Sequence, residues 1–76
     1  MKEVLELIVK SLVSNPDSVQ ISENVTNNSI ELKVKVAKED MGKVIGKQGR
    51  LAKSIRTVIK SLAGKENKKV EIEFLD

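Results

Sequence analysis

The sequence predicts an α+β sandwich, with helices packed on one face of a three-stranded sheet in the order α-β-β-α-α-β. Three observations predict it. Ile30, Leu32, Val34 and Val36 alternate with Glu31, Lys33 and Lys35, the strict period of two of a strand with one buried face. Leu51, Ile55, Val58 and Leu62 recur at the spacing of an amphipathic helix. Two extended stretches come first, then two helical ones and a last strand, so the helices collect on a single side of the sheet. No repeat, linker or low-complexity tract divides the chain, and one domain over 1–76 is expected.

The elements follow in order. From Met1 to Ser14, Val4, Leu5, Ile8 and Leu12 fall on one helical face, with Glu3, Glu6 and Lys10 opposite. Asn15-Pro16-Asp17 ends this helix, because proline biases the residue before it away from the helical region. An extended stretch begins at Val19-Gln20-Ile21 and reaches about Val25. Asn27-Asn28 suit the positive φ angles of a tight hairpin turn, and the alternating strand follows. A short helix then carries Met41, Val44 and Ile45 on one face, with Glu39 and Asp40 near its positive N-terminal end. Gly46 to Gly49 breaks the pattern. A longer helix runs from about Arg50 to Ala63, with Gly64 as its stop. Val70-Glu71-Ile72-Glu73-Phe74 alternates again as the closing strand.

Composition narrows the function. The chain has 76 residues, 39% apolar and 33% charged, which suits one small soluble domain without a deep catalytic cleft. Cysteine and histidine are both absent, which removes disulfides, the usual zinc sites and thiol or imidazole catalysis. Glu71 and Glu73 read as solvated acids on one strand face, so no catalytic residues and no metal or cofactor are expected. The apolar runs are too short to span a bilayer, and no signal peptide is visible; the expectation is a cytoplasmic protein with no membrane partner. Asn24-Val25-Thr26 and Asn27-Asn28-Ser29 match the glycosylation pattern but read as hairpin residues.

Charge is segregated. Between Lys38 and Lys60 stand seven basic residues and two acids, a net +5, while the rest of the chain is −2. A basic middle on a slightly acidic body is the footprint of a polyanion-binding face. In its centre lies Val44-Ile45-Gly46-Lys47-Gln48-Gly49-Arg50. Two glycines three apart let the backbone turn sharply and approach a ligand closely. Lys47 between them can meet a phosphate, and the following helix offers free backbone N–H groups and the positive end of its dipole. Arg50 adds a fixed charge at the same place. With about 100° per residue, Lys53, Arg56 and Lys60 lie opposite the apolar sector of that helix. Ala52, Ile59 and Ala63 lie on its shoulder, which reads first as core edge and second as a partner contact. A P-loop is rejected: three residues instead of four separate Gly42 from Gly46, and Gln48 stands where Ser or Thr would ligate magnesium.

Gly-x-x-Gly alone is a weak signal. Joined to a basic residue inside, apolar helices on both sides and a preceding hairpin, it is far more specific. Val44-Ile45-Gly46-Lys47-Gln48-Gly49-Arg50-Leu51-Ala52-Lys53-Ser54-Ile55 resembles the signature of KH domains, and the element order is that of the type II version. Asp40 to Arg50, with Asn15-Pro16-Asp17 and Lys65-Glu66-Asn67-Lys68, is similar to the small bacterial KhpA family, which is a lone KH domain. The resemblance covers the chain nearly end to end. It implies an RNA-binding protein that clamps about four nucleotides of single-stranded RNA, or DNA, against a groove. Gly46, Lys47, Gln48 and Gly49 would hold the backbone, with Lys43, Arg50 and Lys53 around them. Ile45 and Leu51 or Ile55 would floor the groove, flanked by Val34 or Val36. It also implies an RNA-chaperone-like regulator, a KhpB (Jag)-type partner, and a link to cell elongation and envelope control. No small-molecule substrate is implied. The single aromatic, Phe74, makes base-stacking modules of the RRM or OB kind a poor fit, and Phe74 reads as core. One KH domain contacts few nucleotides, so a homodimer with the shoulder Ala52, Ile59 and Ala63 as contact is expected to raise affinity. The rival reading is a protein–protein adaptor with weak or no RNA binding.

Overall fold

A computed structural model describes residues 1–76. Its elements are helix α1 (Lys2–Leu12), strands β1 (Gln20–Val25) and β2 (Ser29–Lys35), helices α2 (Met41–Ile45) and α3 (Arg50–Gly64), and strand β3 (Lys69–Leu75). Single 3-10 turns at Pro16–Ser18, Lys38–Asp40 and Lys47–Gly49 link them. The expected α+β order is observed. Strand β2 is central, antiparallel to β1 and parallel to β3, so β3 is an edge strand. Parallel neighbours need a crossover, and here α2, the glycine loop and α3 supply it.

Burial follows the two periodicities. Ile30, Leu32 and Val34 of β2 and Val70 and Ile72 of β3 point into the core, beneath Leu5 and Val9 of α1, Val44 of α2 and Ile55, Ile59 and Ala63 of α3. Val36 lies just past β2 yet stays buried, its N–H donating to the Leu75 carbonyl at 3.1 Å.

Four local expectations are corrected. In α1 the buried residues are Leu5 and Val9, while Val4 is exposed. Neither Asn27 nor Asn28 takes a positive φ; the hairpin is closed by Thr26, whose N–H donates to the Ser29 carbonyl at 2.8 Å and whose hydroxyl accepts from the Ser29 N–H at 3.1 Å. Gly64 is still helical, and the left-handed residue that turns the chain is Asn67, φ 57°. In α3 the inward residues are Ala52, Ile55, Ile59 and Ala63, whereas Val58 is 47% exposed and Leu51 and Leu62 are half-buried. The shoulder read as a second-choice dimer contact is therefore core, with Ile59 and Ala63 completely buried. The physical reason lies in the two alanines, small side chains that are both buried and so bring their side of α3 inward together with Ile55 and Ile59.

Candidate nucleic-acid interface

The loop between α2 and α3 is built from left-handed backbone. Gly46 has φ 76° and ψ −179°, Gln48 φ 56° and ψ 28°, and Gly49 φ 74° and ψ 10°. The two glycines serve different needs. A Cβ on Gly46 would stand 2.7 Å from the Leu51 Cβ and 3.0 Å from the Leu51 backbone nitrogen, so the loop folds directly onto the first turn of α3. A Cβ on Gly49 would meet nothing within 4 Å, and glycine there answers to φ alone. Gln48 adopts φ > 0 without that freedom, which holds its side chain outward at a cost of about 1 kcal/mol. No side chain caps the N-terminus of α3; the Arg50 N–H donates to the Lys47 carbonyl, and no side chain accepts from the N–H groups that follow it at this end of the helix, which favours an anion.

The predicted contact residues separate into three groups. Lys47, Gln48, Arg50 and Lys53 are exposed around the loop, and none of the three cations among them enters a salt bridge. Ile45 and Leu51 are half-buried, the apolar surface next to the glycines. Ile55, Val34 and Val36 are core and support the groove from beneath instead of lining it. Lys43 is occupied: its ammonium donates to the Ser14 hydroxyl and lies 3.5 Å from the Asp40 carboxylate.

Asp40 is the anchor that sequence reading missed. It was expected to complement the N-terminus of α2, but its side chain makes no cap bond there. It is the one buried charged residue. Its carboxylate accepts the N–H of Ser14 at 3.1 Å, the N–H of Asn15 at 3.0 Å and the Asn15 side-chain amide at 3.2 Å. It thus ties the end of α1 to the start of α2, one short helix before the loop. These partners lie 25 or 26 residues away in sequence, and no local pattern announces them. Burial works against the ionised form, but the Ser14 and Asn15 N–H groups, the Asn15 amide and Lys43 outweigh it and hold the pKa below its ordinary value. A lowered folded pKa means stability that is present above the unfolded pKa and lost as pH falls through the folded one. Thermal melts taken from pH 6 down through about pH 4 and below should therefore show a steeper loss for wild type than for Asp40→Asn. Parallel curves for the two proteins would refute this role for Asp40.

Arg56 also departs from expectation. Instead of joining the solvated basic face, it donates a long hydrogen bond of 3.5 Å from Nε to the Ile72 carbonyl, with its guanidinium carbon 5.4 Å from the centre of the Phe74 ring. It bridges α3 to the free edge of β3. Phe74, read as core, is half-buried: it packs against the core cluster without belonging to it.

A family model described as KhpA/KhpB, KH domain, matches residues 2–74. The RNA-binding protein KhpA of Clostridium acetobutylicum is 64% identical over 75 residues, covering 99% of this chain and all of that protein. That of Clostridium perfringens is 59% identical with the same coverage. That of Listeria monocytogenes is 46% identical over 76 residues, with both chains fully covered.

Proposed function

Because the chain belongs to the KhpA/KhpB family of KH domains, we propose that it is an RNA-binding module whose loop Gly46–Gly49 clamps a short single strand by its backbone. One observation carries the reading: left-handed Gly46, Gln48 and Gly49 fold the loop onto an uncapped helix N-terminus, with Lys47 and Arg50 exposed and free of carboxylates. Phosphates meet fixed N–H donors and two cations, while Ile45 and Leu51 offer an aliphatic surface to the bases. The relatives' name, RNA-binding protein, supports the same ligand class.

The proposal extends to an RNA-chaperone-like regulator in the cytoplasm, acting with a KhpB (Jag)-type partner in cell elongation and envelope control. The family description names KH domains of KhpA and KhpB together, which supports kinship with such a partner; the regulatory role and the cell process are what the resemblance implies. It extends also to a homodimer. With Ala52, Ile59 and Ala63 inside the core, the apolar surface of α3 left for a second copy is Val58 and Leu62, on the side away from Lys53 and Lys60.

The test is titration of a labelled single-stranded RNA with wild type and with Lys47→Asp/Gln48→Asp, both checked for folding by circular dichroism. The double variant is expected to lose at least about tenfold in affinity, and wild-type binding to weaken with salt. Equal binding by both proteins moves the site off the loop. Absence of binding by wild type favours the adaptor reading.

A further inference from the structure

Polar contacts between distant parts of this chain are concentrated at one junction. Every side-chain hydrogen bond between residues 24 or more apart in sequence joins the end of α1 to the approach to α2. The next longest, from Arg56 to Ile72, spans 16 residues. Three of the junction bonds end on the buried Asp40 carboxylate. The Asn15 amide also donates to Glu39 at 3.1 Å, and the Lys43 ammonium donates to the Ser14 hydroxyl. Elsewhere the helices are held to the sheet by apolar contact. Apolar contact tolerates small rotations, whereas directed bonds to a buried carboxylate do not, since a lost partner leaves a charge unpaired. A buried ionic network often adds little net stability over apolar packing, so what this one contributes is direction.

Helix α2 needs that direction. It has five residues, too few to be stable alone, includes Gly42, and carries Val44 as its single buried side chain. Its last hydrogen bond runs from the Gly46 N–H to the Gly42 carbonyl at 3.0 Å, so the first loop glycine is attached to this short helix. On its other side the loop is seated on Leu51 of α3. From Asp40 to Gly46 the helix rises about 9 Å. A tilt of about 10° at Asp40 would move Gly46 by about 1.5 Å, beyond the tolerance of about 0.5 Å of a binding constellation.

We infer that Asp40 is the positioning residue of the glycine loop: held by Ser14 and Asn15, it fixes α2 against the end of α1 and so sets the RNA affinity of a loop with which it shares no hydrogen bond. The inference rests on the proposed RNA clamp for its ligand. Lys43 changes role with it and serves the junction instead of the phosphates. The sign of the effect separates positioning from charge. Asp40 is an acid close to a polyanion site, so by electrostatics alone its neutralisation raises RNA affinity. By positioning, the affinity falls.

The experiment titrates a labelled single-stranded RNA with wild type, Asp40→Asn, Asn15→Ala and Lys43→Gln, at a temperature where circular dichroism shows each protein folded. Proton–nitrogen correlation spectra are recorded on the same proteins without RNA. Asp40→Asn is expected to lose about tenfold in affinity and to shift the amide resonances of Gly46 and Gly49. Asn15→Ala changes no charge and keeps the backbone donors; it should lose about threefold and shift the same resonances by less. It carries the test if Asp40→Asn does not fold. Lys43→Gln should weaken binding at an unchanged log–log salt slope, because loss of a phosphate contact on a single strand would flatten that slope by about 0.7. A flattened slope overturns the role given to Lys43. The inference as a whole is overturned by folded Asp40→Asn or Asn15→Ala proteins that bind at least as tightly as wild type, or by loop resonances that stay in place. The clamp is judged separately, by Lys47→Asp/Gln48→Asp. Wild-type affinity in that variant removes the clamp and leaves the hold of Asp40 on the loop to be decided by the amide resonances alone.

Discussion

Replacing Ile59 by aspartate is expected to unfold the domain, while the same change one residue earlier, at Val58, leaves it folded. Ile59 is 0% exposed and belongs to the cluster that joins α3 to the sheet, whereas Val58 is 47% exposed. A carboxylate at position 59 has no cation beside it in that core, and an unpaired buried charge costs several kcal/mol. Domains of this size hold about 5 kcal/mol or little more, so circular dichroism should show Ile59→Asp largely unfolded. Ile59→Ala gives the graded version: a loss of about 2–5 kcal/mol and a Tm lower by about 10 °C or more. Val58→Asp should keep its Tm within a few degrees. If a second copy covers the Val58 and Leu62 surface, this variant should sediment as a monomer. A wild-type Tm for Ile59→Asp would show that α3 does not pack as described.

The second large effect is expected at Gly46. Alanine there must take φ 76° with ψ −179°, a combination essentially restricted to glycine, and its Cβ must displace the backbone of Leu51. Strain and crowding together should cost about 3 kcal/mol. RNA affinity should fall as well, because the displaced groups are the first turn of α3 and the loop that leads to it. Gly49→Ala is the contrast. Its φ of 74° is unfavourable for alanine, but the space is open, so the cost should be about 1 kcal/mol. Gly49→Asn should cost less still, since asparagine tolerates the left-handed region. Chemical denaturation of the three variants checks the order. Equal losses at 46 and 49 would mean that the contact with Leu51 does not decide the matter.

Much of this architecture was readable in the amino acids because its causes are local. Alternation in residues 30–36 and 70–74 specifies strands whatever they pair with, and the two glycines with Lys47 announce the loop. What could not be read depends on distant partners. Alanines carry little weight in an apolar-sector reading, so the inward face was placed on Leu51, Ile55, Val58 and Leu62 in place of Ala52, Ile55, Ile59 and Ala63. Asp40 reads as a helix-start residue until the fold brings Ser14 and Asn15 to it. Arg56 lies on a charged face by helical phase, yet the edge of β3 draws it in. In each case a tertiary neighbour, invisible to periodicity, changed the role of a residue whose local conformation was read correctly.

The parallel pairing of β2 with β3 has a kinetic consequence. The β1–β2 hairpin can close on its own neighbours, but β3 can dock only after residues 36–68 have folded back over the sheet. Closing so long a segment carries an entropy cost that is recovered only when the non-local contacts form, which slows folding. The glycine loop lies within that segment, and α3 gains its packing partner only when the sheet is whole. A chain with the hairpin alone therefore presents no clamp, and competence to hold a nucleic-acid strand should arise in the same kinetic phase as the β2–β3 ladder.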